Sequence, residues 1–325
     1  MWYNDNMKNT STIPISIRSI PMKRKKVTLG LVWSKCDLSC DFCPNLNEFV
    51  DDSLFYEHIR NTYEKFVEYF EDYPFDVIDI SFNGTEMFNC SFSNEKIDTI
   101  FLYMEKVYHL CLTKCTNINV YVYTNLVTSS RTIELLMGFI EKTNACVFTS
   151  FDFEGRFKEY WEFLSFSENI KRITHVCEPT IQMVVHTKNI ASLKYESNEM
   201  VDYFKYLYQK YRIRLLDYID CGNVCYQTSL KDKIDFYCWM VDNYPKTVDD
   251  YLNTVNQGGC GDSVEIIGNV VYYSRCDYQN KEFEFVQQNG CLMCQYFGNC
   301  NRPCVCEGSD ICLYKKVRDY KDAKG

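Results

Sequence analysis

The stretch CDLSCDFCP, residues 36–44, places Cys36, Cys40 and Cys43 at C-x3-C-x2-C spacing. It follows an apolar, β-branched run, residues 27–33, that is typical of a buried strand. A cubane iron–sulfur cluster is normally held by four thiolates, so a loop that offers three leaves one iron open. An open coordination position is typical of a catalytic metal centre. The loop is therefore a candidate site for a catalytic cluster.

A structural zinc site is the alternative interpretation of these cysteines. Structural zinc is almost always four-coordinate. The next His or Cys downstream is His58, which lies within a helix predicted over residues 53–71. The spacing therefore favours an iron–sulfur cluster over zinc.

The loop resembles the signature of the radical S-adenosylmethionine (SAM) enzymes, including the aromatic residue Phe42 before the last cysteine. The resemblance implies that the free iron is chelated by the amino and carboxylate groups of SAM. It also implies that the reduced cluster passes an electron to the sulfonium. A 5′-deoxyadenosyl radical would then abstract hydrogen from a substrate.

The chain after the loop alternates apolar runs with segments of helical spacing. Strands are predicted over residues 27–33, 75–82, 118–123, 145–150, 180–185 and 213–219. Helices are predicted over residues 53–71, 94–115, 132–142, 155–167 and 192–211. This alternation predicts an α/β fold with a parallel sheet and helices outside. Six such units fit a partial (β/α)6 barrel, as the resemblance implies, with the chemistry at the carboxyl ends of the strands.

A second motif, GTEM at residues 84–87, closes the second predicted strand. It resembles the Gly-Gly-Glu-Pro motif of radical SAM enzymes, which lies along the SAM amino group. A bare backbone at Gly84 lets the ligand approach, and the carboxylate of Glu86 can accept from an ammonium. Thr85 and Met87 depart from the family pattern. A strand-end turn is the alternative reading of this motif.

Polar corners follow the third and fourth predicted strands. Thr124-Asn125 resembles the family's Thr-Asn-Gly corner, and Ser150-Phe151-Asp152 resembles its Ser-x-Asp corner. The resemblance implies that SAM is bound by Phe42, Gly84, Thr85, Glu86, Asn125, Ser150 and Asp152. Asn and Asp also favour turns, which is the alternative at these corners. Gln182, in the fifth predicted strand, is interpreted as a buried core amide. The sequence identifies no catalytic acid or base.

The C-terminal segment holds eight cysteines, Cys260, Cys276, Cys291, Cys294, Cys300, Cys304, Cys306 and Cys312. The run from 291 to 304, C-x2-C-x5-C-x3-C, resembles the SPASM domain of peptide- and protein-modifying radical SAM enzymes. That domain carries auxiliary iron–sulfur clusters. A β-hairpin with a Gly-Asn turn is expected over residues 266–272. Paired zinc ribbons are the alternative, which the number of cysteines alone does not exclude.

The resemblance implies two auxiliary clusters beside the SAM cluster, three [4Fe–4S] clusters in all. The inner cluster would be bound by Cys260, Cys276 and Cys304. Its fourth ligand stays open between Cys306, Cys221, Cys225 and none. The outer cluster would be bound by Cys291, Cys294, Cys300 and Cys312.

The sequence divides into five predicted parts. They are an N-terminal arm (1–26), a radical SAM partial barrel (27–220), a helical linker (221–257), a small cysteine-rich SPASM domain with a hairpin and short helices (258–314), and a charged tail (315–325) that is expected to fray.

The composition narrows the class of protein. The 325 residues include 19 cysteines, and no apolar stretch suits a signal peptide or a transmembrane helix. Cysteine-rich chains without a signal peptide favour metal binding in a reducing cytosol over disulfides. A net charge of −9 argues against nucleic-acid binding. We therefore expect a cytoplasmic protein with neither a nucleic acid nor a membrane as its partner.

The function expected is radical SAM modification of a ribosomally made peptide or a protein side chain, by crosslinking, thioether formation, epimerisation or oxidation. The expected partners are that precursor, a reductant of flavodoxin or ferredoxin type, and a separate peptide-recognition protein as a further candidate. The same chemistry on a small molecule or nucleotide is one alternative. A non-catalytic iron–sulfur sensor is another.

Overall fold

A computed structural model describes residues 24–31, 36–38, 40–43, 52–71, 76–115, 117–217, 223–253, 263–274 and 313–324. The strands are β1 (Arg24–Leu31), β2 (Val77–Gly84), β3 (Asn117–Tyr123), β4 (Cys146–Ser150), β5 (Thr180–Val185), β6 (Arg212–Asp217), β7 (Ser263–Ile267) and β8 (Val270–Ser274). The helices are α1 (Phe55–Glu71), α2 (Asn94–Leu112), α3 (Ser130–Thr143), α4 (Tyr160–Ile173), α5 (Thr187–Tyr195), α6 (Glu199–Lys210), α7 (Leu230–Asn243), α8 (Pro245–Asn253) and α9 (Leu313–Lys324).

These strands form one sheet in the order β6-β5-β4-β3-β2-β1-β7-β8. Strands β1 to β6 are all parallel, β7 pairs in parallel with β1, and β8 is antiparallel to β7. Because the order of β1 to β6 follows the chain and such crossovers are right-handed, their connecting helices lie on one face of the sheet. We call the other face the inner face of the sheet.

The two sides of β2 show how the sequence sets these faces. Phe82 is fully buried, and its ring lies 6.1 Å from those of Tyr103 on α2 and Phe139 on α3. Burying such a side chain contributes about 1.5–3 kcal/mol. Alternate strand residues point to opposite faces. On the inner face Asn119 Nδ2 donates to Asp79 Oδ1 at 2.7 Å, so that face is polar where the outer one is apolar.

The α/β fold with a mostly parallel sheet is confirmed. The single helix predicted over 192–211 is wrong, because the chain forms α5 and α6 with an extended break between them. Asn198 caps α6, its Oδ1 accepting from Val201 N at 3.0 Å. An Asn before an acidic first turn is a strong start signal, and here it outweighs the apolar spacing that runs across the break.

The helix predicted over 155–167 is displaced, since α4 begins at Tyr160. Glu162 Oε2 accepts from the backbone N–H groups of Lys158, at 2.7 Å, and Glu159, at 3.0 Å, which fixes this start. Residues 151–159 are consequently a loop that follows β4. This loop supplies several contacts to the site described below.

The predicted hairpin is present as β7 and β8, with its turn at Gly268-Asn269. It extends the main sheet beside β1, and Gly268 N donates to Thr62 Oγ1 of α1 at 2.9 Å.

The tail, expected to fray, is the helix α9. Its residues Leu313, Tyr314 and Val317 are buried, and the Tyr314 hydroxyl donates to the Leu252 carbonyl at 3.1 Å. An apolar stripe at helical spacing accounts for this docking. Of the helices in the described ranges, none has the length and apolar character to cross a membrane.

Candidate active site

The three-cysteine loop follows β1, at the carboxyl edge of the parallel strands. Cys40 is buried, and Cys36 and Cys43 are half-buried. Burial raises the pKa of the Cys40 thiol to about 12, and the charges of Cys36 and Cys43 act in the same direction. A buried thiol with a raised pKa needs a metal or a cation beside it to be a thiolate.

The three cysteines are the residue type that binds a cubane cluster. Across the described ranges, no group of three or more His, Cys, Asp or Glu side chains is arranged to hold one metal ion. A cubane makes a different demand, because each thiolate binds a different iron. The cysteines of the described residues form no disulfides with one another. Three neighbouring thiols in one loop fit a cluster with one iron left open.

The loop that follows β4 holds the cysteine loop in place. Asp41 N donates to the Gly155 carbonyl at 3.0 Å, and Lys158 Nζ pairs with Asp41 Oδ1 at 2.5 Å. The Tyr226 hydroxyl donates to the other carboxylate oxygen at 3.2 Å. The hydrogen bond from Lys158 lowers the pKa of Asp41. Gly155 has φ +75°, and a Cβ there would lie 2.6 Å from the Tyr226 hydroxyl.

Phe42 anchors the loop from the inside. It is buried, and its ring centroid lies 4.9 Å from that of His186 and 5.7 Å from that of Tyr226. His186 caps α5 through its Nδ1, which accepts from Asn189 N at 3.1 Å. The aromatic residue before the last cysteine thus packs on the start of α5, which follows β5.

Glu86 joins the ends of β2 and β3. Its buried carboxylate accepts from Phe88 N at 3.0 Å, Thr124 Oγ1 at 2.8 Å and Asn125 N at 2.6 Å. Burial raises the pKa of Glu86 to about 7, and these three donors act against that rise. A carboxylate has about four acceptor positions, so most of them are used within the chain.

Gly84 stands where β2 touches β1. Its φ is +153°, and a Cβ would lie 1.9 Å from the Leu31 carbonyl oxygen. The close approach of the two strand ends therefore requires glycine. The next residue of the motif, Thr85, is half-buried.

The corner after β3 has an unusual backbone. Leu126 has φ 60° and is fully buried, at the position where the family pattern has glycine. Asn125 Oδ1 accepts from Val127 N at 2.7 Å. Its Nδ2 is buried and has no hydrogen-bond partner in the described part of the chain. Asn125 therefore offers a donor that a ligand can use.

Asp152 and Arg156 lie on the other side of the loop. Asp152 is fully buried; its Oδ1 accepts from Val184 N at 2.9 Å and from Asn189 Nδ2 at 2.6 Å. Burial raises its pKa to about 6, and Arg156 opposes that rise. Arg156 Nη1 lies 3.9 Å from Asp152 Oδ2 and 4.0 Å from Cys40 Sγ.

Strand register aligns a row of polar residues at this edge. Ser150 pairs with Gln182, and Gln182 pairs with Arg214. One step below, the rings of Tyr123 and Phe148 stack 4.9 Å apart at 15°. The positive charge of Arg214 opposes the rise that burial causes in the pKa of Tyr123. Gln182, read from the sequence as a core amide, is buried in this row.

The structure thus brings Cys36, Cys40, Cys43, Phe42, Gly84, Glu86, Asn125 and Asp152 to one edge of the sheet. The cysteines predicted for the auxiliary clusters (260, 276, 291, 294, 300, 304, 306 and 312) lie outside the described residues, as does Cys221. Cys225 is described and exposed.

Sequence reasoning missed Arg156, Lys158 and Tyr226. The first two lie in a stretch whose pattern predicts a helix, and Tyr226 lies 185 residues from its partner Asp41. An arginine four residues after a strand-end Asp was the one available signal.

The fold was compared with known proteins. No family model and no curated protein matches the sequence. Among solved structures, histidine-tagged anSMEcpe with bound AdoMet (SAM) matches with a TM-score of 0.60 at 17% identity, covering 93% of this chain and 97% of that chain. Native anSMEcpe with bound AdoMet and Cp18Cys peptide matches with a TM-score of 0.57 at 15% identity, covering 93% and 97%.

At this level of identity the likeness establishes the fold alone. anSMEcpe is a radical SAM maturase with a SPASM domain. The chain therefore has the radical SAM fold that its three-cysteine loop predicted.

Proposed function

We propose that this protein is a radical SAM enzyme that modifies a peptide or protein side chain. The observation that carries the proposal is the placement of the three-cysteine loop. It lies at the carboxyl edge of a parallel sheet, where such folds carry their chemistry, beside buried polar atoms that lack hydrogen-bond partners within the described chain. The peptide in one anSMEcpe structure supports a peptide substrate.

In this proposal Cys36, Cys40 and Cys43 hold a [4Fe–4S] cluster and leave one iron for SAM. When bound, the cluster supplies one electron for the reductive cleavage of SAM, which leads to hydrogen abstraction from an unactivated carbon. The packing of Phe42 and the contacts of Asp41 keep the loop in one conformation. A fixed loop lets the three thiolates bind without reorganisation.

The residues for SAM divide into two groups. Gly84 and Glu86 shape the strand ends: the first by its missing side chain, the second by its hydrogen bonds to the next corner. Asn125 Nδ2 and Asp152 Oδ2 are buried and accept or donate no hydrogen bond within the described chain, although Asp152 Oδ2 lies 3.9 Å from Arg156 Nη1. We assign these two atoms to SAM, because a buried polar group without a partner is costly. Thr85 and Ser150, which flank the same edge, complete the site.

The substrate would lie on the inner face of the sheet, below SAM. The stacked rings of Tyr123 and Phe148 offer an apolar surface there, and Arg214 offers a positive charge beside it. A peptide segment with an apolar side chain and a nearby carboxylate suits this combination. A small molecule with the same features remains the alternative substrate.

The C-terminal cysteines are assigned as in the sequence analysis. Cys260, Cys276 and Cys304 would hold an inner auxiliary cluster, with Cys306 as a candidate fourth ligand. Cys291, Cys294, Cys300 and Cys312 would hold an outer one. Three [4Fe–4S] clusters amount to about twelve irons per chain.

Iron analysis after anaerobic reconstitution tests this proposal. We expect about twelve irons in the intact chain, and about four fewer in a Cys36/Cys40/Cys43→Ala variant, with the remaining visible absorbance retained. A content of about four irons in the intact chain would refute the two auxiliary clusters. Stoichiometric zinc would likewise refute the two auxiliary clusters.

A further inference from the structure

Arg156 holds a buried positive charge against the cysteine loop. The residue is 6% exposed, and arginine is rarely buried to this extent unless its charge is paired. Its Nη1 lies between Cys40 Sγ, at 4.0 Å, and Asp152 Oδ2, at 3.9 Å. The guanidinium thus stands between a cluster ligand and a carboxylate.

Asp152 by itself does not account for the arginine. The distance of 3.9 Å is longer than a hydrogen bond, and Asp152 Oδ2 has no hydrogen-bond partner in the described part of the chain. The other oxygen is fully engaged with Val184 N and Asn189 Nδ2. The carboxylate is therefore fixed by β5 and α5, and it directs the guanidinium towards the sulfur without forming the usual bidentate pair.

Residues on both sides of Arg156 are tied to the same loop, one through its backbone and one through its side chain. The Gly155 carbonyl accepts from Asp41 N at 3.0 Å, and Lys158 Nζ pairs with Asp41 Oδ1 at 2.5 Å. The guanidinium also lies over the Phe157 ring, 5.6 Å from its centroid. These contacts leave the side chain little freedom to move away from Cys40.

We infer that Arg156 is a positioning residue that holds Cys40 and raises the reduction potential of the cluster bound there. The inference rests on the proposed function, because it assumes that Cys36, Cys40 and Cys43 carry the SAM cluster. Hydrogen bonds to the sulfurs and nearby charge are known determinants of iron–sulfur potentials. Reduction adds one electron from an external low-potential donor and moves no proton in this step, so a nearby positive charge favours the reduced state.

The test is a redox titration of the reconstituted full-length protein without SAM, followed by EPR. The signal of interest is the one absent from the Cys36/Cys40/Cys43→Ala variant. In Arg156→Gln we expect the equilibrium constant for one-electron reduction to fall at least tenfold, a shift of about 59 mV to lower potential. Arg156→Lys keeps the charge and should recover at least half of that shift.

Two further variants distinguish an effect of the Arg156 charge on the potential from an effect of the substitution on folding. Arg172→Gln removes an arginine that pairs with Glu134 on the outer surface, and it should leave the potential unchanged. In the double variant Asp152→Asn/Arg156→Gln no buried carboxylate is left unpaired. The redox titration is therefore made on this double variant if Arg156→Gln alone holds no iron. Its potential should also fall, but by less, because a negative charge is removed as well.

The outcomes are distinguishable. An unchanged potential in an Arg156 variant that holds its full iron overturns the inference and leaves the proposed function standing. The same holds if Arg156→Gln weakens equilibrium SAM binding at least tenfold at unchanged potential, since Arg156 would then be a ligand for SAM. A wild-type protein without the cysteine-loop signal would refute the proposed function itself, and the inference with it.

Discussion

The backbone N–H of Asn125 lies 2.6 Å from Oε2 of Glu86 and ties the end of β3 to the end of β2. The same carboxylate accepts two more hydrogen bonds. Glu86 therefore shapes the corner that carries Asn125. A sequence motif that suggested a ligand contact forms a structural bridge between two strand ends.

Glu86 should make stability depend on pH. Its pKa in the folded chain, about 7, is above the ordinary value of 4.5, because of burial. The folded state thus holds the proton more tightly, and the free energy of unfolding falls as the pH rises from about 4.5 to about 7. The expected loss is about 3 kcal/mol.

Glu86→Gln should remove this part of the dependence of stability on pH. The measurement is the thermal midpoint from pH 5 to pH 8 under anaerobic conditions. A smaller slope should persist, because burial also raises the pKa of Asp152, to about 6. The variant should be less stable at pH 6 by about 1–3 kcal/mol, since an amide nitrogen would face a backbone donor. Identical slopes in the variant and the wild type would contradict the assigned pKa.

Gly84→Ala should separate β2 from β1 at the site. The new Cβ would lie 1.9 Å from the Leu31 carbonyl oxygen, in a backbone conformation that side chains rarely adopt. We expect a loss of stability of about 2–4 kcal/mol, measured by thermal denaturation, together with weaker SAM binding.

Gly138→Ala is the matched control. Nothing lies within 4 Å of its Cβ position, and Gly138 is inside α3. Alanine should therefore stabilise the protein by about 0.5–1 kcal/mol. If both substitutions had the same effect, the close approach at Gly84 would not be the cause.

Phe42→Ala should loosen the cysteine loop. The variant loses the contacts with His186 and Tyr226, and removing a buried phenylalanine ring costs about 3–5 kcal/mol. We expect lower iron occupancy at the cysteine loop after reconstitution, with auxiliary iron retained. Phe42→Leu keeps apolar volume and should retain most of the iron. Equal iron contents in the two variants and the wild type would show that the ring is dispensable.

The last two cysteines, Cys306 and Cys312, allow a test of the auxiliary assignment. Gly308, Ser309 and Asp310 favour a turn that would return Cys312 to the outer cluster. Cys306 follows Cys304 by two residues, so in an extended segment both side chains would point the same way, and Cys306 would be directed towards the proposed inner cluster.

Cys312→Ala should therefore perturb the outer cluster, and Cys306→Ala should leave it intact. The measurement is iron content with EPR of the reduced clusters, in a background that lacks Cys36, Cys40 and Cys43. Loss of the outer signal in Cys306→Ala alone would reverse the assignment.

Much of the fold was predictable because its signals are local. The strand Thr180–Val185 was predicted with the bounds that the structure has, since its apolar run is flanked by Pro179 and a polar cap. The break at Asn198 and the helix α9 were missed, because a capping residue and a short apolar stripe were outweighed by longer patterns.

The site was predictable only in part, for a physical reason. The three cysteines and Glu86 belong to short motifs, so their neighbours in sequence reveal them. Arg156 acts on Cys40 across 116 residues of sequence. Such a contact depends on how two loops meet in the folded chain, which local patterns do not encode.

The central claim is that the three-cysteine loop supports reductive cleavage of SAM. The most direct measurement is 5′-deoxyadenosine formation by the anaerobically reconstituted protein with dithionite and SAM, without added substrate. We predict slow formation by the wild type and none by the Cys36/Cys40/Cys43→Ala variant. No 5′-deoxyadenosine from a wild-type protein with full iron would contradict the claim and favour an iron–sulfur sensor.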